Sequence, residues 1–101
     1  MNIPFPFVPP NEISFNELLN DLRDSNGENI SIYSSITGKK AVMKEAYIYP
    51  YHDIIISDGI IDYLITKEEI NKIYKAELDG LIIWEVNYTD GTYNSIFINF
   101  E

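Results

Sequence analysis

The stretch of sequence most able to do chemistry is YIYPYHD, residues 47–53, which contains three tyrosines, the chain's one histidine and an aspartate. Tyr47, Tyr49 and Tyr51 have the period-two spacing of a strand, so they share one face if the strand continues through Pro50. Tyrosine suits protein interfaces because its rigid ring contributes contact area while its hydroxyl stays in water. We expect either that these tyrosines form a binding surface or that at least one packs under the first helix.

His52 is the side chain in this stretch that could act as a general base. His52 and Asp53 are adjacent, and adjacent side chains of a strand point to opposite faces, which argues against an acid–base pair. His52 has no second histidine and no cysteine with which to complete a zinc site. The chain has no glycine-rich phosphate loop, no G-x-S-x-G and no H-E-x-x-H motif. We therefore predict a protein that is not an enzyme and expect no cofactor and no metal ion.

Acidic residues dominate the sequence that follows the tyrosines. The chain has sixteen Asp and Glu residues against seven Lys and Arg residues, a net charge of −9. Nucleic acid and anionic membranes repel such a chain, whereas basic protein surfaces attract it. Carboxylates along one face can imitate DNA phosphates and occupy a basic cleft; the alternative is an ordinary solvated charged face. The candidate carboxylates are those of Asp58, Asp62, Glu68, Glu69, Glu77 and Asp79.

The first part of the chain predicts an extended arm followed by a helix. Residues 1–12 are rich in proline, which disfavours helix, so they should form an arm that covers a sheet edge or serves as a free docking peptide. Ser14 and Glu17 form the capping-box pattern S-x-x-E, and the apolar residues after them recur with helical spacing. Gly27 is a typical helix stop. The sequence therefore predicts a helix over residues 14–25.

The remainder, residues 29–100, alternates like antiparallel sheet. Asp58-Gly59 between two β-branched runs predicts a hairpin, and Thr66 with Glu69 predicts a short helical element near residues 67–74. The absence of β-helix-β alternation favours an α+β domain over residues 1–101, with the first helix on a sheet of about six strands. The order of elements also resembles the Sm-like small-barrel plan, so the sheet lies open or curls into a small barrel.

Together these patterns favour a small acidic interaction protein. We expect an inhibitor that blocks the basic, nucleic-acid-binding surface of a bacterial nuclease or defence protein, such as a restriction enzyme or a CRISPR nuclease. Frequent Ile, Asn, Lys and Tyr residues suggest a low-GC bacterium or its phage, and hence a phage or prophage protein in the host cytoplasm. The expected partner-binding residues are Tyr47, Tyr49, Tyr51, His52, Asp53, Asp58, Asp62, Glu68 and Glu69.

Two other functions fit the same sequence. A small β-barrel module would bind a ligand or a peptide, or would assemble into an oligomer, and a toxin-immunity protein would use the same acidic surface on a different partner. We expect a monomer or a small homo-oligomer. Direct contact with nucleic acid is not expected, and no apolar run approaches the roughly 18 residues that span a bilayer.

Overall fold

The computed structural model describes residues 10–50, 52–78 and 80–99. Within these ranges the chain forms one α-helix, nine strands and a short 3-10 helix, so the predicted α+β class is confirmed. The first four elements are β1 (Asn11–Ile13), α1 (Phe15–Arg23), β2 (Asn29–Ser34) and β3 (Lys39–Met43). They are followed by β4 (Tyr47–Pro50), β5 (Ile54–Ser57), β6 (Asp62–Ile65), the 3-10 helix (Lys67–Glu69), β7 (Ile70–Leu78), β8 (Leu81–Tyr88) and β9 (Tyr93–Asn99).

Helix α1 begins where the sequence predicts it. Ser14 Oγ accepts a hydrogen bond from the Glu17 amide at 3.1 Å, and Glu17 Oε1 accepts one from the Ser14 amide at 3.5 Å. These two bonds form the expected capping box. The helix ends at Arg23, two residues before the predicted end. Leu18 and Leu22 are one turn apart and fully buried, and they anchor the helix on the core.

Replacing Ser14 by alanine is expected to lower the free energy of unfolding by about 1 kcal/mol, because the Glu17 amide loses its capping acceptor. Urea denaturation followed by the fluorescence of Trp84 measures the change. Ser14→Asp serves as the control, since aspartate caps helices as well as serine does. Equal losses in the two variants would contradict the capping role.

The strands lie in two antiparallel sheets. The larger sheet has the order β1-β7-β8-β9-β2-β3, and the smaller has the order β4-β5-β6. The prediction of a sheet of about six strands therefore describes the larger sheet and missed the smaller one. No closed barrel is found, since β1 and β3 lie at opposite edges of the larger sheet among the described residues.

Strand β1 is the described end of the predicted arm. It pairs with β7, and Ile13 lies opposite Ile73, so this part of the arm covers a sheet edge. Residues 1–9 of the predicted arm lie outside the described residues.

The helical element predicted near residues 67–74 is wrong beyond Glu69. Only Lys67–Glu69 forms a 3-10 turn, and the Thr66 side chain makes no capping hydrogen bond. Strand β7 begins at Ile70, which pairs with Tyr88 of β8, and further along the strand residues 73–75 also pair with β1. These two ladders of hydrogen bonds outweigh the local capping pattern.

The core lies between α1, one face of the larger sheet and the inner face of the smaller sheet. Trp84 on β8 is 1% exposed, and its Nε1 donates to Asp21 Oδ2 of α1 at 3.3 Å. The same carboxylate oxygen pairs with Lys75 Nζ of β7 at 2.9 Å. The core is filled mainly by Ile30, Ile32, Met43, Ile48, Ile54, Ile56, Ile65, Ile73, Val86, Ile96 and Ile98.

Candidate functional site

The smaller sheet has one buried face and one open face. Ile48, Ile54, Ile56 and Ile65 point into the core, and the side chains that alternate with them, those of Tyr47, Tyr49, Ile55 and Leu64, point outward. Their alternation fixes the register of the sheet, because a slip of one residue would expose the isoleucines. The packing of these isoleucines therefore also fixes which side chains lie on the outward face.

Tyr47 and Tyr49 lie on this outward face, as their period-two spacing predicts. They are 49% and 46% exposed, so neither packs under α1. Tyr51 lies outside the described residues. The part of the tyrosine motif that the structure describes is accessible to a partner.

Apolar side chains continue from Tyr49 across the sheet. Tyr49, Ile55 and Leu64 stand directly opposite one another on β4, β5 and β6, and we call them the outer row. Leu64 is 55% exposed and Ile55 is half-buried. Ile60, in the loop between β5 and β6, is 91% exposed. The exposed apolar side chains of Tyr49 and Leu64, which lie in one row, are typical of an interaction site.

Asp58 organises the loop that presents Ile60. Its Oδ1 accepts hydrogen bonds from the amides of Ile60 at 2.9 Å and Ile61 at 2.7 Å. These bonds, from Ile61 first and then from Ile60, hold the pKa of the Asp58 carboxyl below its usual range. Gly59 adopts φ +89°, a left-handed conformation that favours glycine. The predicted Asp58-Gly59 turn is thus present, within a connection of residues 58–61.

His52 and Asp53 have separate partners and do not form an acid–base pair. His52 Nε2 lies 3.2 Å from Glu68 Oε1, and both side chains are largely exposed. Asp53 Oδ1 accepts a hydrogen bond from the Lys67 amide at 2.9 Å. Both contacts connect the start of β5 to the 3-10 helix, and a contact between two exposed side chains contributes at most about 1 kcal/mol.

The predicted acidic residues do not all lie together. Asp62 and Glu69 line one cleft, whereas Glu77 lies beside Glu12 and Glu17 near β1. Glu69 directly precedes β7 and Glu77 lies near its other end, about 26 Å away at the rise of a strand. Asp79 lies outside the described residues. Glu77 is thus separate from Asp62 and Glu69, and the described candidate carboxylates do not form one continuous strip.

The cleft that contains Asp62 and Glu69 lies between β6 and the adjoining ends of β8 and β9, and it has a volume of about 370 Å³. We call it the tyrosine cleft, because the rings of Tyr63, Tyr88 and Tyr93 line it. It adjoins the outer row, since Leu64 belongs to both. The cleft is therefore part of the same accessible surface.

Asn94 connects two of these rings at the base of the cleft. It is 4% exposed, and its Oδ1 accepts a hydrogen bond from the Tyr88 hydroxyl at 2.5 Å. Its Nδ2 donates to the Tyr63 hydroxyl at 2.6 Å and to the Tyr33 carbonyl at 3.3 Å. Burial, helped by nearby negative charge, raises the pKa of Tyr88, so the hydroxyl stays protonated as a donor.

Sequence reasoning missed the tyrosine cleft. Tyr63 and Tyr88 are 31 and 6 residues from Asn94 in the sequence, and the packing of the two sheets brings them together. No local motif signals such a contact.

The described residues hold no group of three or more His, Asp and Glu side chains placed to bind a metal ion. The helix of the described ranges is too short and too polar to cross a membrane.

Comparisons of this chain with protein-family models, with curated protein sequences and with solved structures find no match.

Proposed function

We propose that this protein is a small acidic inhibitor or interaction protein without enzymatic activity, which docks on a basic, nucleic-acid-binding surface of another protein. The observation that carries the proposal is the outer row beside exposed carboxylates. Tyr49 and Leu64 supply apolar contact area at the centre, and Asp62 supplies negative charge at the border. An apolar centre with a charged rim is the usual composition of a protein interface.

The register of the smaller sheet places charge directly beside the apolar centre. Tyr47, Ser57 and Asp62 stand opposite one another in the row next to Tyr49, Ile55 and Leu64. A partner that covers the outer row therefore also approaches Asp62. Opposite charge at such a position steers association and selects the partner, whereas the apolar area supplies most of the affinity.

The charge of the chain indicates the class of partner. A net charge of −9 favours a strongly basic surface, and in bacteria such surfaces belong to proteins that bind nucleic acid. We place the protein in the bacterial cytoplasm as a phage or prophage product that blocks a nuclease or another defence protein. The carboxylates of the rim would occupy positions that DNA phosphates otherwise take. A toxin-immunity protein would use the same surface on a different basic partner.

Capture of host proteins by matched variants tests this function. The double variant Tyr49→Ser/Leu64→Ser should bind its partner at least about 30-fold more weakly than the unchanged chain, because it removes two central anchors. The control is Val42→Ser/Leu81→Ser, which removes two similarly exposed apolar side chains from the larger sheet. The control should bind like the unchanged chain.

The captured partner should also show the expected chemistry. It should associate more slowly as the salt concentration rises, and double-stranded DNA should compete with the protein for it. Equal capture by both double variants, or a partner indifferent to salt and to DNA, would contradict the proposal.

A second candidate is an assembly module that pairs with its own copies. Strands β4 and β6 are free edges of the smaller sheet among the described residues, and free edges pair readily with other strands. Light scattering separates the two functions. A symmetric oligomer that dissociates in Leu64→Ser would favour assembly, and a monomer would favour the inhibitor.

A further inference from the structure

The tyrosine cleft is a formed site. Its volume of about 370 Å³ falls within the range of about 300–1,000 Å³ that is typical of ligand pockets. Asn94 fixes the Tyr63 and Tyr88 hydroxyls, and the Tyr93 ring packs on the Tyr33 ring with their centroids 5.9 Å apart. The rings are thus held in place before any ligand binds, which lowers the entropic cost of binding.

The charge inside the cleft is negative. Asp62, Glu69 and Asp90 contribute carboxylates to its lining, and the described lining includes no lysine, arginine or histidine. Asp90 Oδ1 accepts hydrogen bonds from Thr92 Oγ1 at 2.6 Å and from the Thr92 amide at 3.0 Å. These bonds lower the pKa of the Asp90 carboxyl, so that it is ionised at neutral pH.

The carboxylates also act on the base of the cleft. Burial is the largest cause of the raised pKa of Tyr88, and Tyr63 is the second. The charges of Glu69 and Asp90 add to it. Their field therefore reaches the hydroxyl that donates to Asn94. A ligand in the cleft would meet aromatic rings and several carboxylates together.

We propose that the tyrosine cleft binds an arginine side chain of the partner protein. This inference rests on the proposed function and specifies its central polar contact. A guanidinium group is planar and permanently charged, stacks on aromatic rings, and donates to carboxylates through a fixed fork of N–H groups. Phosphate and carboxylate ligands would be repelled by Asp62, Glu69 and Asp90. Arginine is also the residue with which DNA-binding surfaces most often contact phosphates and guanines.

A titration followed by NMR tests the site without knowledge of the partner. Nα-acetyl-arginine amide, added to the ¹⁵N-labelled full chain, should shift the backbone amides of residues 62–64 and 88–94 with a Kd of about 1 mM, as for a single weakly held side chain. Nα-acetyl-citrulline amide has nearly the same shape without the charge and should cause no such shifts. Nα-acetyl-lysine amide should bind more weakly than the arginine probe, because ammonium cannot stack flat on a ring.

Matched charge variants locate the site. Asp62→Asn/Glu69→Gln removes two exposed carboxylates from the cleft and should weaken binding of the arginine probe by about tenfold or more. Glu12→Gln/Glu77→Gln removes the same charge from the other end of β7 and should change binding by less than about twofold, as expected of distant exposed charges. All four side chains are exposed, so neither double variant disturbs the core.

Three results would overturn the inference: shifts of equal size with the citrulline probe, equal affinity for the lysine probe, or equal weakening by the two charge variants. The variant Tyr49→Ser, which changes the outer row outside the lining of the cleft, should keep its affinity for the arginine probe. If the cleft fails to bind the arginine probe while partner capture still requires Tyr49 and Leu64, the arginine site is contradicted and the proposed function is not. If the cleft binds the probe while partner capture does not depend on Tyr49 and Leu64, the proposed docking surface is contradicted and the arginine site is not.

Discussion

Replacing Glu85 by methionine is expected to raise the free energy of unfolding at pH 7 by about 1–3 kcal/mol. Glu85 on β8 is 0% exposed, and neither of its carboxylate oxygens makes a well-formed hydrogen bond among the described residues. Burial has the largest effect on the pKa of this carboxyl and raises it, whereas the nearby Asn87 side chain lowers the pKa by less. Ser95 lies directly opposite on β9, and its buried hydroxyl oxygen has no hydrogen-bond partner among the described residues. Methionine fills a similar volume without a charge, so the substitution removes the cost of taking the carboxylate out of water.

The gain in stability should depend on pH. Burial raises the pKa of the Glu85 carboxyl above its ordinary value of 4.5. As the pH rises from about 4.5 through this raised pKa, the unfolded chain releases its proton before the folded chain does, and the folded state loses stability. The unchanged chain and Glu85→Met should therefore differ least near pH 4 and most near neutral pH.

Urea denaturation at a series of pH values measures the difference. Trp84 is the chain's only tryptophan and is buried, so its fluorescence reports unfolding. Glu77→Met on the neighbouring strand is the control, because an exposed glutamate should change stability by less than about 0.5 kcal/mol. A Glu85→Met protein less stable than the unchanged chain at pH 7, or a gain independent of pH, would contradict the interpretation.

Replacing Trp84 by alanine is expected to lower the free energy of unfolding by about 3–5 kcal/mol. This is a large part of the roughly 5–15 kcal/mol that stabilises a typical domain. Trp84 lies on the inner face of β8 and reaches α1 through its bond to Asp21, so its loss leaves a cavity between the sheet and the helix. Urea denaturation followed by circular dichroism measures the loss, since the fluorescent ring is gone.

Trp84→Phe separates packing from hydrogen bonding. Phenylalanine keeps an aromatic ring in the core and removes the bond to Asp21, which retains Lys75 as a partner. The loss from the missing hydrogen bond should be about 1 kcal/mol. If Trp84→Phe were as unstable as Trp84→Ala, the hydrogen bond to α1 would matter more than the volume of the ring.

Local signals in the sequence predicted the elements that depend on neighbouring residues. The capping box of Ser14 and Glu17 located the start of α1, and Asp58-Gly59 located the hairpin of the smaller sheet. Period-two spacing placed Tyr47 and Tyr49 on one exposed face. In each case the controlling hydrogen bonds or side chains lie within a few positions of one another.

Features that depend on distant pairing were not predictable in this way. Ile70 begins a strand because it pairs with Tyr88 of β8, although Thr66 and Glu69 carry the local pattern of a helix start. Alternation along β8 would place Glu85 in solvent, yet both faces of this central strand are buried. The tyrosine cleft likewise arises only where the two sheets meet.

The strand order of the larger sheet has a consequence for synthesis on the ribosome. Strands β8 and β9 are made last of the nine, but they lie between β7 and β2 at the centre of the sheet. While the chain is being made, only β2 with β3 and the smaller sheet can pair locally, and Leu18 and Leu22 of α1 have no larger sheet to cover them. Completion of the larger sheet then pairs Ile13 with Ile73 and Ile30 with Ile98. These residues are far apart in the sequence, so their pairing slows folding. A nascent chain that stalls before β8 therefore exposes the apolar face of its helix to chaperones and proteases.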